Sequence, residues 1–426
     1  MTHDPSEYIR GLQQLLVSDK KRIAFLFGAG TSLSKKNKKS ISVPAICEMT
    51  NKIEKILNKK ENYKNAIDEI KQEIQDSKNS YTIETLLSNL EQKKEIICTG
   101  SLNGLNLQDI TDLIKDIKKG IRNIVSVHKK IHKYDDIKNL VHVDFAEWIS
   151  RANRKCGIEI FTTNYDYLFE LGLETKNIPY YDGFTGSYQP FFNPDSVEDL
   201  SFLPAQTKLW KIHGSLGWHF DEESKKVLRK DSDSKDILIY PSVLKYNNSK
   251  KQPYIALIDR LTNFLKQPDT VLITCGYSFG DEHINERILT SLNSNPSTHV
   301  YALYYDIRHD KEIKAKNYIL TEDSNLSKLA KSNRQLSVYG CRNAIIGCQY
   351  GGWQLKREPD KDDTPNINSY FDEDASFDTE SDLKKETKGK ENWTGKGELT
   401  IPDFSKFIKF LENMIYDNNE LEEKHD

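Results

Sequence analysis

The chain has 426 residues, 29% of them charged, with a formal net charge of −3. That length accommodates two or three domains and a core that folds without metal or disulfide staples, and the near-neutral balance excludes a general affinity for nucleic acid. No signal-type segment and no run of the roughly twenty apolar residues of a membrane span is present, and six scattered cysteines without a C-x-x-C pair read as reduced thiols, so a cytoplasmic protein is expected.

Taken in chain order, Tyr8, Ile9, Leu12, Leu15 and Leu16 have helical spacing. Ile23 to Phe27 is an apolar run of buried-strand length, and it leads into Gly28-Ala29-Gly30-Thr31-Ser32. Glycines there either let the backbone approach a pyrophosphate or only form a tight turn. Lys35, Lys36, Lys38 and Lys39 follow as a solvated loop or a phosphate clamp. From Ile46 to about Lys133 the pattern is helical. Ile53, Ile56, Leu57, Ile67, Ile70 and Ile74 mark one set of faces, and Ile110 to Ile131 another, as in a helix hairpin or bundle.

A helix over 141–150 precedes the strand Ile158–Thr163, which ends in Asn164-Tyr165-Asp166. An amide and a carboxylate thus stand at a strand's carboxyl end, the edge where open α/β sheets bind ligands. Aromatic residues from Tyr180 to Phe192 form a pocket wall or a self-packed lid. Leu209–Ile212 is a strand ending at His213-Gly214-Ser215, and Ile255–Leu265 is an amphipathic helix. Thr270–Cys275 is another strand, and the loop after it carries Gly276, Ser278, Asp281 and Asn285. Further strands are expected at His299–Tyr305 and Val338–Gly340. Such alternation implies an α/β fold with a doubly wound parallel sheet. From Pro359 to Asp382 nine acids stand against one lysine, a composition that predicts disorder. Beyond it, Phe404 to Ile415 has helical spacing after Asp403, and that helix must dock on its own chain or on a neighbour. The expected organisation is an α/β domain from 1–45 and 140–353, a helical module at 46–139, an acidic disordered linker at 354–398 and an amphipathic helix at 399–420.

Gly-Ala-Gly-Thr-Ser, Thr-Thr-Asn-Tyr-Asp, His-Gly-Ser and Gly-Tyr-Ser-Phe-Gly-Asp-Glu-His-Ile-Asn, in that order, resemble the signature series of the bacterial sirtuin-like family over roughly residues 20 to 350. The resemblance implies a Rossmann-like, sirtuin-type domain that takes NAD as substrate. It places the nicotinamide ribose between Asn164 and His213, with Asp166 either binding ribose or holding the Asn164 loop. Gly28, Ala29, Gly30 and Ser32 would receive the diphosphate. Thr163, Gly276, Ser278, Asp281 and Asn285 would complete the site, although Asp281 equally suits a helix cap. His219 and His283 are the competing histidines.

The family's protein deacylases carry a zinc ribbon of two C-x-x-C pairs after the His-Gly motif, and here Cys275 is the only cysteine between His213 and Gly276. No zinc is therefore expected, and NAD hydrolysis is favoured over deacylation. Zinc-free chains of this kind are NAD-depleting effectors of bacterial antiphage defence, often multimers with a separately encoded partner such as a HerA-type hexameric ATPase or an Argonaute-like protein. A homo-oligomer is also expected from the apolar stripes of the helical module and from the helix beyond the linker. An NAD-sensing subunit without catalysis and a DNA-processing subunit are the alternatives.

Overall fold

Strand Arg22–Phe27 sets the architecture, because its side chains alternate between two buried faces. Phe25 and Phe27 point to one hydrophobic layer, Ala24 and Leu26 to the other. A computed structural model describes residues 1–77, 79–152, 154–231, 238–239, 252–309, 316–360, 363, 365–373 and 393–414.

Among the described residues the main sheet has ten strands: β1 (Thr2–His3), β2 (Arg22–Phe27), β3 (Glu159–Thr162), β4 (Tyr180–Tyr181), β5 (Thr207–Lys211), β6 (Thr270–Cys275), β7 (His299–Leu303), β8 (Leu336–Tyr339), β9 (Asn343–Ile346) and β10 (Gln349–Trp353). Their order is β1-β10-β9-β8-β7-β6-β2-β3-β5-β4. Every pair from β8 to β4 is parallel, with Phe25 opposite both Ile160 and Ile273. Only β9 runs against its neighbours. This is the mixed, mostly parallel Rossmann-like sheet expected from the alternating pattern.

The helices that matter for the site are α1 (Pro5–Val17), α2 (Ile46–Leu57), α3 (Glu61–Asp76), α4 (Ile83–Ile96), α5 (Leu107–Val125), α6 (Val141–Arg151), α7 (Leu168–Thr175), α8 (Tyr254–Leu265), α9 (Glu282–Ser294), α10 (Asn325–Ser332) and α11 (Phe404–Glu412). Residues of α1, α6, α7 and α11 share a core with Phe25 and Phe27. Those of α8, α9 and α10 cover the opposite face. Helices α2 to α5 form a third core, in which Ile53, Ile67, Ile70, Leu86, Leu90, Ile110, Leu113, Ile117 and Ile121 bury one another.

Two sequence expectations change here. The apolar stripes of the helical module are satisfied within it, and Tyr165, Leu168 and Leu216 from the sheet's edge complete that core. Ile56, on the outer face of α2, stays exposed. Helix α11 docks on its own sheet, with the Phe404 ring 5.3 Å from Phe27 and Phe407 6.1 Å from Phe25. Among the described residues, most of the apolar side chains on those two surfaces are therefore covered by the chain itself. The acidic stretch is also not one continuous linker. Ile367, Tyr370 and Phe371 are buried, Phe371 pairs with Leu399, and Arg10 and Arg357 hold Asp363. Three apolar side chains give this part of an acidic segment the burial that its average composition lacks. Residues 374–392 lie outside the described residues, as do 415–420 of the expected C-terminal helix.

Candidate functional site

Four adjacent parallel strands, β6, β2, β3 and β5, end at one edge, and their next residues are Gly276, Gly28, Thr163 and Ile212. The motifs scattered along the sequence are thereby brought together. Two of the loops interlock. A Cβ on Gly28 would lie 2.5 Å from the Gly276 carbonyl oxygen, and one on Gly30 2.6 Å from the Gly276 Cα. Gly276 itself has φ +64. The Gly30 N–H donates to the Gly276 carbonyl at 3.0 Å and the Gly28 N–H to the Cys275 carbonyl at 3.2 Å. Glycine at 28 and 30 is thus required by loop-on-loop packing. Those two amides are engaged inside the protein rather than presented to a diphosphate, and the exposed residue of the turn is Ala29.

Asn164 closes the arrangement from β3. Its Nδ2 donates to the Gly28 carbonyl at 3.1 Å, the Thr31 hydroxyl at 3.0 Å and the Ser32 hydroxyl at 2.8 Å. The carbonyl acceptor decides which end of the amide is nitrogen, since an oxygen there would face another oxygen. Both N–H bonds are spent on the glycine loop, which holds the amide plane still and turns Oδ1 away from that loop. The Ser32 hydroxyl donates in turn to Asp166 Oδ2 at 2.7 Å, and Asp166 Oδ1 accepts from the Leu168 N–H at 3.0 Å. Both Asp166 oxygens therefore serve the loop and the start of α7. The Ser32 hydroxyl, buried, belongs to the same chain of bonds.

His213 follows β5 and is buried, and its Nε2 lies 3.0 Å from Asp281 Oδ2. The other oxygen of Asp281 accepts from the His283 and Ile284 N–H groups and caps α9. One carboxylate does both jobs, so the two roles left open by the sequence are not exclusive. An Asp281 carboxylate selects the tautomer with hydrogen on Nε2, which makes Nδ1 the basic nitrogen. Asn285 spends its side chain on the loop itself, donating to the Phe279 carbonyl at 2.7 Å and accepting from the Tyr277 hydroxyl at 3.0 Å. It is a brace for residues 277–279, where the sequence suggested a ribose contact. Ser278 is exposed on that loop, and the Thr163 N–H continues the sheet to the Phe27 carbonyl at 3.1 Å. His219 lies in the strand Trp218–Asp221, and His283 falls in the first turn of α9.

Three contributors were missed by sequence reasoning. Lys211 is buried two residues before His213; its ammonium donates to the Asp166 carbonyl and to Glu170 at 2.8 Å, tying β5 to the Asn164 loop. A lysine directly before the apolar Ile212 and the His213 motif was the available signal. Asp306, beyond β7 at the same edge, is fully buried, and among the described residues its Oδ2 has no partner. Burial raises its pKa. Glu84 comes from α4 and accepts from the Tyr165 hydroxyl at 3.0 Å.

Beneath the site His142 packs on Phe169 and Phe404, and among the described residues its Nε2 lacks a hydrogen bond. Desolvation pushes its pKa down to about 4. The unfolded chain thus binds a proton near pH 6.5 that the folded one refuses until about pH 4, and stability falls as pH drops through that window. The full loss amounts to about 3 kcal/mol. Thermal melts of wild type and His142→Leu between pH 7 and 4 should diverge, the variant losing less stability on acidification; parallel curves would remove the assignment.

The strand ends thus gather a packed glycine turn at Gly28–Gly30 and the polar groups of Asn164 and His213 at one sheet edge. Among the described residues no group of three or more His, Cys, Asp or Glu side chains is placed to hold a metal ion. No described helix is long and apolar enough to cross a membrane. Residues 158–327 match the SIR2-like domain family, a span that includes Asn164, His213 and Asp281 but not the Gly28 loop. SIR2-like domains bind NAD, and the match supports a sirtuin-like family with NAD-related activity. No curated protein matches the chain.

Proposed function

We propose that the protein is an NAD glycohydrolase that cleaves the bond between nicotinamide and ribose. The observation that carries this reading is the clamped Asn164 amide at one strand end and the His213–Asp281 pair at the next. In the reaction the bond from C1′ to the pyridinium nitrogen breaks, and its electron pair neutralises the departing nicotinamide. Water forms the new C1′–O bond and releases a proton. Asn164 Oδ1 orients that water or the ribose without adding a charge to be desolvated, and His213 exchanges the proton with water or a ribose hydroxyl. The products are nicotinamide, ADP-ribose and one proton.

Hydrolysis is preferred to deacylation because the six cysteines offer no pair of C-x-x-C motifs for a zinc ribbon. On the resemblance of the motif series we further propose a role as an NAD-depleting effector of antiphage defence, working as a homo-oligomer with a HerA-type ATPase or a similar partner. The test is to incubate the purified chain with NAD, alone and with the neighbouring gene product, and follow nicotinamide release. Release that is lost in His213→Ala is expected. NAD binding with no release in either condition would point to a sensing subunit instead.

A further inference from the structure

The residue between the two polar members of the Asn164 loop faces away from the cleft. Tyr165 is 8% exposed, its ring lies in the core of the helical module, and its hydroxyl donates to Glu84 at 3.0 Å. Glu84 is in the first turn of α4, where little is left to drift. The Thr82–Thr85 capping box closes that turn, and the Ile83 N–H donates to Thr50 of α2 at 2.9 Å. On the other side, the Tyr165 carbonyl accepts from the Leu216 N–H at 3.2 Å, in the turn that begins at His213. Tyr165 is therefore bonded at its hydroxyl to the helical module and at its backbone to both loops of the site.

We infer that Glu84 and Tyr165 are a positioning pair, through which the helical module sets the Asn164 and His213 loops relative to each other. This rests on the NAD-cleaving reading for its catalytic consequence but not for its structural one. Asn164 is held towards the glycine loop and Tyr165 towards α4, so the peptide between them is pulled from opposite sides. Displacing α4 loosens both loops at once, because Leu216 follows the Tyr165 carbonyl. A ligand or partner that binds the helical module thus has a direct route to the site.

The experiment compares wild type with Tyr165→Phe, Glu84→Ala, Glu84→Gln and the Tyr165→Phe/Glu84→Ala double variant. Amide hydrogen exchange over 163–168 and at Leu216 is expected to quicken in Tyr165→Phe and Glu84→Ala, whether or not NAD is cleaved. For nicotinamide release, kcat should fall about ten-fold or more in both, with KM within about two-fold. The double variant should be no worse than either single one, and Glu84→Gln, which keeps an acceptor oxygen, should recover most of the activity. Unchanged exchange in these segments would overturn the pairing, and so would additive losses. A lowered melting temperature with unchanged kcat would reduce the pair to ordinary packing. If wild type releases no nicotinamide, the exchange data still decide the pair, and only the reaction assignment falls.

Discussion

Replacing Asn164 by alanine is expected to lower nicotinamide release by about 10²–10³-fold, the range seen when a single preorganised polar group is removed from a transition state. The structure adds a second effect to the chemical one. Asn164 Nδ2 serves three acceptors; without it the Gly28 carbonyl still accepts from the Thr31 N–H and hydroxyl, but the buried Thr31 and Ser32 hydroxyls lose the donor they accept from, at a cost of about 1–3 kcal/mol. The variant should therefore melt earlier as well as turn over slowly. Asn164→Asp separates the two: it keeps the size but sets an oxygen against the Gly28 carbonyl, so its loss of stability should at least equal that of alanine. Single-turnover kinetics beside thermal melts make the comparison. Wild-type turnover in a folded Asn164→Ala would refute the assignment.

Arg260→Met is expected to destabilise the fold by about 3–5 kcal/mol, the usual result of stranding one member of a buried ion pair. Arg260 is 1% exposed, and its Nε donates to Glu159 at 3.0 Å while its remaining groups reach Glu159 and the Val197 and Asp199 carbonyls. Trp210 Nε1 gives the same carboxylate a further bond at 2.8 Å. Every bond of the pair is thus made within the protein, and removing the guanidinium leaves Glu159 charged in an apolar layer. Glu159 opens β3 and Asn164 follows its end, so the defect is one of stability and not of chemistry. Urea denaturation should show it, and Glu159→Gln in the same chain should return part of the loss. A midpoint unchanged by Arg260→Met would mean that water reaches the pair.

Much of this was readable in advance, and the reason is local. Short continuous apolar runs such as 23–27 and 270–275 read as buried strands because they are too short for a helix and rich in β-branched or aromatic residues. Asn164 and His213 stood out as polar groups at the ends of such runs. Their partners were hidden because pairing across a sheet edge depends on strand order. His213 and Asp281 are 68 residues apart, and β6 and β5 flank β2 and β3 only in the folded order. Nor could the sequence show that the hydrogen bonds of Ser32 and Asn285 turn inward, to Asp166 and to the Phe279 carbonyl. For α11 the misleading signal was average composition, since the acids around residues 372–382 obscured the few aromatic anchors that bring the chain back.

Phe25 and Phe27 lie on the central strand β2, and α11, which covers them with α6, is made long after them. On a ribosome the sheet must wait, one layer uncovered, until residues 404–411 have left the exit tunnel. A nascent or prematurely terminated chain therefore presents stacked phenylalanines to chaperones and proteases rather than a finished cleft. The order of synthesis itself thus delays completion of the layer that backs the Asn164 loop until α11 has emerged.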